Sequence, residues 1–273
     1  MSTKIVIIGG VAGGASAAAK ARRTNEAAEI VMFEKGPYVS FANCGLPYYV
    51  GETITNRDDL LLQTPERFWT RFRVRVNVLH EVLKIEHTTK CVQVKNLISG
   101  AVTSHPYDTL ILAPGAGAIV PNIPGIQANN IFSVKTVPDS DKIKSFLHDH
   151  PSQNALVIGG GFIGLETAEA LANRGLIVTI IEKAPHILPP FDSDMARLVA
   201  HHIEEKGIKI IADDGIAGFH QNGGLAQETE LESGAKLPMD LAILSIGVRP
   251  ELKLAREAGL EIGVSGGIVV NER

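Results

Sequence analysis

The chain has 273 residues, 45% of them hydrophobic, enough for one large or two medium domains with packed cores. Its formal net charge is -4 and its 26 lysines and arginines are scattered, so neither nucleic acid nor an anionic membrane is an expected partner. Two cysteines cannot build a disulfide framework, and no apolar run approaches the roughly 20 residues of a bilayer span, so a cytoplasmic, soluble protein is expected.

The N-terminus runs into "IVIIGG", an apolar stretch too short for a secretory core. It reads instead as a β-branched strand, Ile5 to Ile8, followed by a glycine turn, an alanine-rich helix from Ala15 to Arg23, and a strand from Glu29 to Phe33 that ends at Glu34. Next comes "SFANCGLPYY", which carries Cys44. "EVLKIEHTTKCVQVKN" and "YDTLILAPGA" read as strands of a small meander, with Cys91 as a structural residue inside "KCVQV". "PGAGAIVPNIPG" has the composition of a crossover between domains.

The opening pattern then returns: strand Ala155 to Ile158, "GGGFIG", helix Leu165 to Arg174, strand Ile177 to Ile181, then Glu182. Each copy is a βαβ unit, which requires parallel strands and a right-handed crossover. "MDLAILSIGVRPE" adds a buried strand and a turn, and "GGIVVNER" begins another strand as the sequence stops, which leads us to expect a C-terminally truncated chain. The fold class is α/β: two doubly wound, Rossmann-like dinucleotide-binding domains, the second inserted in the first, with small β-meanders. The expected boundaries are 1–120 plus 246–273 for an incomplete FAD-binding domain and 121–245 for an NAD(P)-binding domain.

The second loop fits the G-x-G-x-x-G pattern fully. Gly159 permits the turn, Gly161 lets backbone approach a pyrophosphate, and Gly164 allows close helix–strand contact. Glu182, closing the next strand, would accept hydrogen bonds from an adenosine ribose and repel a 2'-phosphate, which favours NADH over NADPH; Lys183 beside it opposes that preference. In the first loop, Gly9, Gly13 and Gly14 surround Val11 at the middle glycine position, and Glu34 takes the ribose place. Either loop alone could be no more than a turn. Two complete units imply two dinucleotides, a flavin supplied with electrons by a nicotinamide.

Cys44 lies in a loop leaving the carboxyl ends of the first unit's strands, where ligands of doubly wound sheets bind. A helix beginning near Gly45 would stabilise its thiolate. The alternative is a buried structural cysteine. Of nine histidines, the adjacent His201 and His202 lie on an expected helix and point to different faces; no metal site is expected.

"GGVAGG", "FEKGPYVSFANCGLPYYVGE", "LILAPGA", "GGGFIGLETAEAL" and "SIGVRP" together resemble the single-cysteine branch of the flavin-dependent pyridine nucleotide-disulfide oxidoreductases. Within it the sequence is most similar to coenzyme A-disulfide reductases and NADH-dependent persulfide or polysulfide reductases. The resemblance runs end to end and implies FAD and NADH, with NADPH as the alternative coenzyme. It implies a relay in which Cys44 accepts electrons from the flavin and reduces a small thiol disulfide of the coenzyme A type. It assigns cofactor contacts to Val11, Ala12, Gly13, Lys35, Val82, Ala113 and Gly115, and in the second half to Phe162, Ile163, Glu166 and Gly247. It assigns substrate contacts to Ser16, Lys20, Arg23, Ser40 and Asn43. A further basic residue of the family falls near Arg71, Phe72 and Arg73, with its aligned place closest to Phe72; Arg71 is taken as the contact.

Water-forming NADH oxidases and NADH peroxidases share the fold and use one cysteine as a sulfenic acid. They carry histidine where this chain has Ala12 and usually serine where it has Asn43, which favours disulfide or persulfide reduction. A non-catalytic nucleotide-binding fragment is the reading from a different class, because relatives continue into a further flavin-contacting segment and a dimerisation domain. The full-length form is expected to be a homodimer, and the present chain to bind flavin weakly.

Overall fold

A computed structural model describes residues 2–272, so the end of "GGIVVNER" at Arg273 lies outside the described residues. The chain forms two compact units. The first comprises the chain up to Ala42, Leu61–Gly117 and the stretch from Arg249 on; the second comprises Asn43–Leu60 and Ala118–Val248.

The first unit is built on a four-stranded parallel sheet in the order Val74–Val78, Glu29–Glu34, Lys4–Ile8, Thr109–Leu112. Alternation along Lys4–Ile8 serves two cores. Ile5 and Ile7 pack with Ala15 and Ala18 of the helix Gly13–Thr24, with Ile30 and Met32, and with Phe68. Val6 and Ile8 pack on the opposite face with Phe33, Val82, Ile85, Val92 and Val94. The latter four belong to an antiparallel meander, His80–Glu86, Cys91–Asn96 and Val102–Pro106. The run "TLIL" was expected in that meander and instead joins the parallel sheet beside Lys4–Ile8. Its unbroken apolar character is that of a strand packed on both faces rather than one.

The second unit repeats the plan with five parallel strands in the order Lys209–Ile211, Ile177–Ile181, Asn154–Ile158, Leu241–Leu244, Ile131–Ser133. The helix Phe162–Asn173 crosses between Asn154–Ile158 and Ile177–Ile181, starting three residues earlier than the expected Leu165. An antiparallel sheet, Ile216–Asn222, Leu225–Leu231 and Lys236–Pro238, covers part of the core. Its hairpin turns at Gly223–Gly224, where φ is +61° and +85°, the pair of left-handed residues that a tight hairpin needs.

The segment Asn43–Leu60 is fastened within this second unit. Leu46, Pro47, Tyr49, Val50 and Leu60 are buried. The backbone at Gly51 comes so near the helix Phe162–Asn173 that a Cβ there would stand 2.9 Å from the Ala170 Cα. The Arg57 guanidinium grips the Asp141 carboxylate through Nε at 2.9 and 3.0 Å and through Nη2 at 2.6 Å. Lys144 donates to the Tyr49 carbonyl at 3.3 Å, and Arg174 to the Val50 carbonyl at 3.1 Å. Burial, followed by the Asp141 carboxylate, raises the Tyr49 phenol above its usual pKa.

The strand expected to begin at "GGIVV" does not form. Ile268 makes one isolated bridge to Ile262, while Val269 and Val270 are exposed, so that β-branched run finds no sheet to join.

Candidate functional site

Both glycine loops sit between the first strand and the helix of their βαβ unit, and each is shaped by the same contacts. In the first, Gly9 has φ +90° and donates to the Phe33 carbonyl at 2.9 Å. A Cβ on Gly9 would overlap the Ala113 carbonyl, and one on Gly14 would overlap the Gly9 carbonyl, so both positions are closed to any side chain. In the second, Gly159 has φ +106° and donates to the Ile181 carbonyl at 2.8 Å. Its own added Cβ would stand 2.5 Å from the Ser245 carbonyl, and one on Gly164 would overlap the Gly159 carbonyl.

The two glutamates are also matched. Glu34 accepts from the Gly10 amide at 2.6 Å and from the Gly36 amide at 2.7 Å. Glu182 accepts from the Gly160 amide at 2.6 Å and from the Ala184 amide at 2.7 Å. Each carboxylate therefore clasps its own loop, a role the sequence reading missed when it assigned the glutamates to ribose alone. An ionised carboxylate has about four lone-pair sites, so two amides leave capacity for ribose hydroxyls. The signal was present as a glutamate two residues before a free amide in "EKG" and "EKA".

The residues fit a dinucleotide at both loops. The helices Val137–Asp149 and Pro65–Phe72 are capped by the Thr136 and Thr64 side chains. The helices Gly13–Thr24 and Phe162–Asn173 have no side-chain cap and no acid in the first turn, so their leading amides stay available to an anion. An added Cβ on Gly161 would meet nothing within 4 Å, so packing does not demand glycine there; the cradle is open.

Around the first loop, Val11 is half-buried and Ala12 and Gly13 are exposed. Lys35 pairs with Glu81 at 3.1 Å. Ala113 donates to the Ile8 carbonyl, and Gly115, with φ +76°, accepts from Glu251. Val82 is buried in the meander core, which leaves only its backbone to a ligand. Around the second loop, Phe162 and Ile163 are exposed at the helix start, and Glu166 is half-buried one turn on. Gly247, with φ +106°, is exposed beyond Leu241–Leu244 and accepts from Ile119.

Cys44 is free and exposed, which excludes the packed structural cysteine. It occupies a 3-10 turn, Asn43–Gly45, that runs into the short helix Leu46–Val50 with Gly45 as its N-cap. Ser40 has φ +48°, a left-handed backbone uncommon for serine. That conformation is held because its amide donates to Gly10 and its carbonyl accepts from Leu62 and Gln63.

Ser16, Lys20 and Arg23 are exposed on one face of the helix Gly13–Thr24. Arg22, on the same helix, is a clamp whose guanidinium donates to the carbonyls of Phe72, Asn25, Glu26 and Arg73. Phe72 packs against the first core, so the cations offered there are its exposed neighbours Arg71 and Arg73. Arg71 lies over the Phe72 ring at 5.1 Å.

His201 and His202 lie on the helix Ser193–Glu205, and their rings reach different oxygens of the Glu205 carboxylate, at 3.4 and 3.9 Å. Among the described residues no group of three or more His, Cys, Asp or Glu side chains gathers for a metal, and no helix is long and apolar enough to cross a membrane.

The model of one family, pyridine nucleotide-disulphide oxidoreductase, matches residues 3–273. The chain belongs to that family. Membership implies a flavin and a pyridine nucleotide without choosing between NADH and NADPH. The chain is 36% identical over 268 residues to the coenzyme A disulfide reductase of Staphylococcus epidermidis, covering 98% of itself and 59% of that relative. It thus spans about three-fifths of the length of the curated relatives it matches. Among solved structures it is similar to reduced CoADR-RHD of Bacillus anthracis, with 47% identity and a TM-score of 0.96, covering 100% of this chain and 48% of that one. A NAD-dependent persulfide reductase from A. fulgidus follows at 33% identity and TM-score 0.95, covering 99% of this chain and 50% of that one. The water-forming NADH oxidase of Lactobacillus brevis is more distant, at 26% identity and TM-score 0.89, covering 97% and 58%.

Proposed function

We propose that this chain carries the flavin- and nicotinamide-binding units of a disulfide reductase in which Cys44 attacks a coenzyme A disulfide, a persulfide or a polysulfide. The observation that carries the reading is one exposed, unpaired thiol in a chain with two uncapped glycine-loop helices. The first loop, with Glu34, would hold FAD, and the second, with Glu182, would hold NADH. Bound flavin supplies the two-electron link between a nicotinamide and a disulfide.

The chain's own chemistry is thiol–disulfide exchange. The Cys44 thiolate attacks one sulfur of the substrate, the S–S bond breaks, and one thiol leaves as a thiolate that takes a proton. The mixed disulfide so formed, or the Cys44 persulfide left by a persulfide substrate, would take up two electrons and a proton, supplied through bound flavin, to release the second thiol or sulfide and restore the Cys44 thiolate. The turn Asn43–Gly45 leaves Cys44 open to such a substrate. Lys20 and Arg23, exposed and without an ion-pair partner among the described residues, supply cations suited to the phosphates of a coenzyme A moiety, with Ser16 between them and the helix start. Ser40, Asn43 and Arg71 complete the proposed substrate contacts. Unpaired Cys44 and Cys91 suit a reducing, cytoplasmic compartment.

In the flavin-loaded enzyme, Cys44→Ser is expected to abolish turnover of coenzyme A disulfide while NADH still bleaches the flavin absorbance. Undiminished disulfide turnover in that variant would remove Cys44 from the reaction.

A further inference from the structure

The adenosine end of a nicotinamide coenzyme meets a doubly wound unit at the carboxyl end of its second strand. Here that strand is Ile177–Ile181, followed at once by Glu182, which is buried, and Lys183, which is exposed. The chain after Lys209–Ile211 is laid alongside. Glu182 donates its amide to the Ile211 carbonyl at 2.8 Å, and the amides of Asp213 and Asp214 donate to the carbonyls of Ala184 and Glu182 at 2.9 and 3.2 Å.

A third segment is tied to the same place. The Glu232 amide donates to the Gly215 carbonyl at 2.8 Å. Ser233 donates to the Asp214 carboxylate through its amide at 3.1 Å and its hydroxyl at 2.6 Å. These bonds fix Glu232 where its carboxylate receives the Lys183 ammonium at 2.6 Å. The Ser233 hydroxyl also lowers the Asp214 pKa, so that carboxylate is ionised at neutral pH. Lys183 therefore follows Glu182 in the chain and is paired with Glu232, on which its charge is already spent.

We propose that Glu232 is a specificity-determining residue for the coenzyme: by holding Lys183 it withholds from a 2'-phosphate the cation nearest Glu182, and it keeps this strand end anionic so that NADH is taken over NADPH. The inference rests on the reading of the second unit as the nicotinamide site. Lys183 and Glu232 are exposed, at 74% and 49% of their side-chain surfaces, so breaking the pair leaves the fold intact. A 2'-phosphate carries nearly two charges, so gaining a free ammonium and losing a carboxylate a few ångströms away strengthens its binding by about three- to tenfold.

The test is titration of NADH and NADPH into the 273-residue chain, followed by coenzyme fluorescence or calorimetry, a readout independent of turnover. Wild type is compared with Glu232→Gln, Lys183→Ala and the double variant. The expected result for Glu232→Gln is an NADPH Kd lowered by about three- to tenfold with the NADH Kd within about twofold of wild type. The gain should be clearly smaller in the Lys183→Ala background, where only the loss of the Glu232 charge remains to favour the phosphate. An unchanged NADPH Kd in Glu232→Gln, or a gain undiminished by Lys183→Ala, overturns the role given to Glu232 while leaving the nicotinamide site standing. A wild-type chain that binds neither coenzyme overturns the nicotinamide reading itself, and this proposal with it.

Discussion

The two glycine loops give nearly the same backbone two different middle residues. In each, the first glycine has a positive φ and lies under a carbonyl of the strand on the other side, Ala113 or Ser245. In each, the last glycine presses on the carbonyl of the first, and a glutamate clasps the second amide at 2.6 Å. They part at the middle position, Val11 against Gly161, where the structure exacts nothing: Val11 is half-buried, and a Cβ on Gly161 would enter open space. The outer glycines answer to packing within the chain. The middle residue answers to whatever the loop receives.

The harshest way to break this equivalence is to place a methyl on the last glycine. Gly14→Ala and Gly164→Ala each drive a Cβ into a carbonyl, and each is expected to cost about 3 kcal/mol or more. Thermal unfolding should show comparable losses for the two; a variant that keeps the wild-type Tm would mean its loop can relax and the match is superficial.

A gentler intervention removes charge from the clasp. Glu34→Gln and Glu182→Gln keep the shape but weaken two charge-assisted bonds, and the expected loss is about 1.5–3 kcal/mol for each. Denaturant midpoints measure this, and a loss confined to one variant would show that only one glutamate shapes its loop.

The finest cut separates packing from ligand. Gly161→Val should leave Tm nearly unchanged, within about 0.5 kcal/mol of stability, yet weaken NADH binding about tenfold or more, because the side chain fills the cradle rather than the core. Retention of wild-type NADH affinity would show that the coenzyme does not run past that position.

How much of this was legible in the sequence depended on the range of the cause. The βαβ units and their glycines are local features, written in strand–turn–helix spacing that one stretch of chain suffices to show, whereas the exposure of Cys44 was left open against a buried structural cysteine. "TLIL" was misplaced because an apolar run names a buried strand but not its neighbours, and its partner Lys4–Ile8 lies a hundred residues earlier. The clamp made by Arg22 was not legible because the carbonyls of Phe72 and Arg73 that it holds are distant in sequence. The grip of Arg57 on Asp141, and of Glu232 on Lys183, left no trace for the same reason: charged pairs have no spacing when a crossover intervenes.

The fastening of Asn43–Leu60 also bears on synthesis. The anchors of that segment, Asp141, Lys144, Ala170 and Arg174, all lie far downstream. As the nascent polypeptide leaves the ribosome, the stretch around Cys44 emerges long before anything that can seat it, and contacts of such sequence separation close late. During that interval the loop is untethered, so the order of translation itself delays the moment at which Cys44 takes its fixed place on the turn Asn43–Gly45.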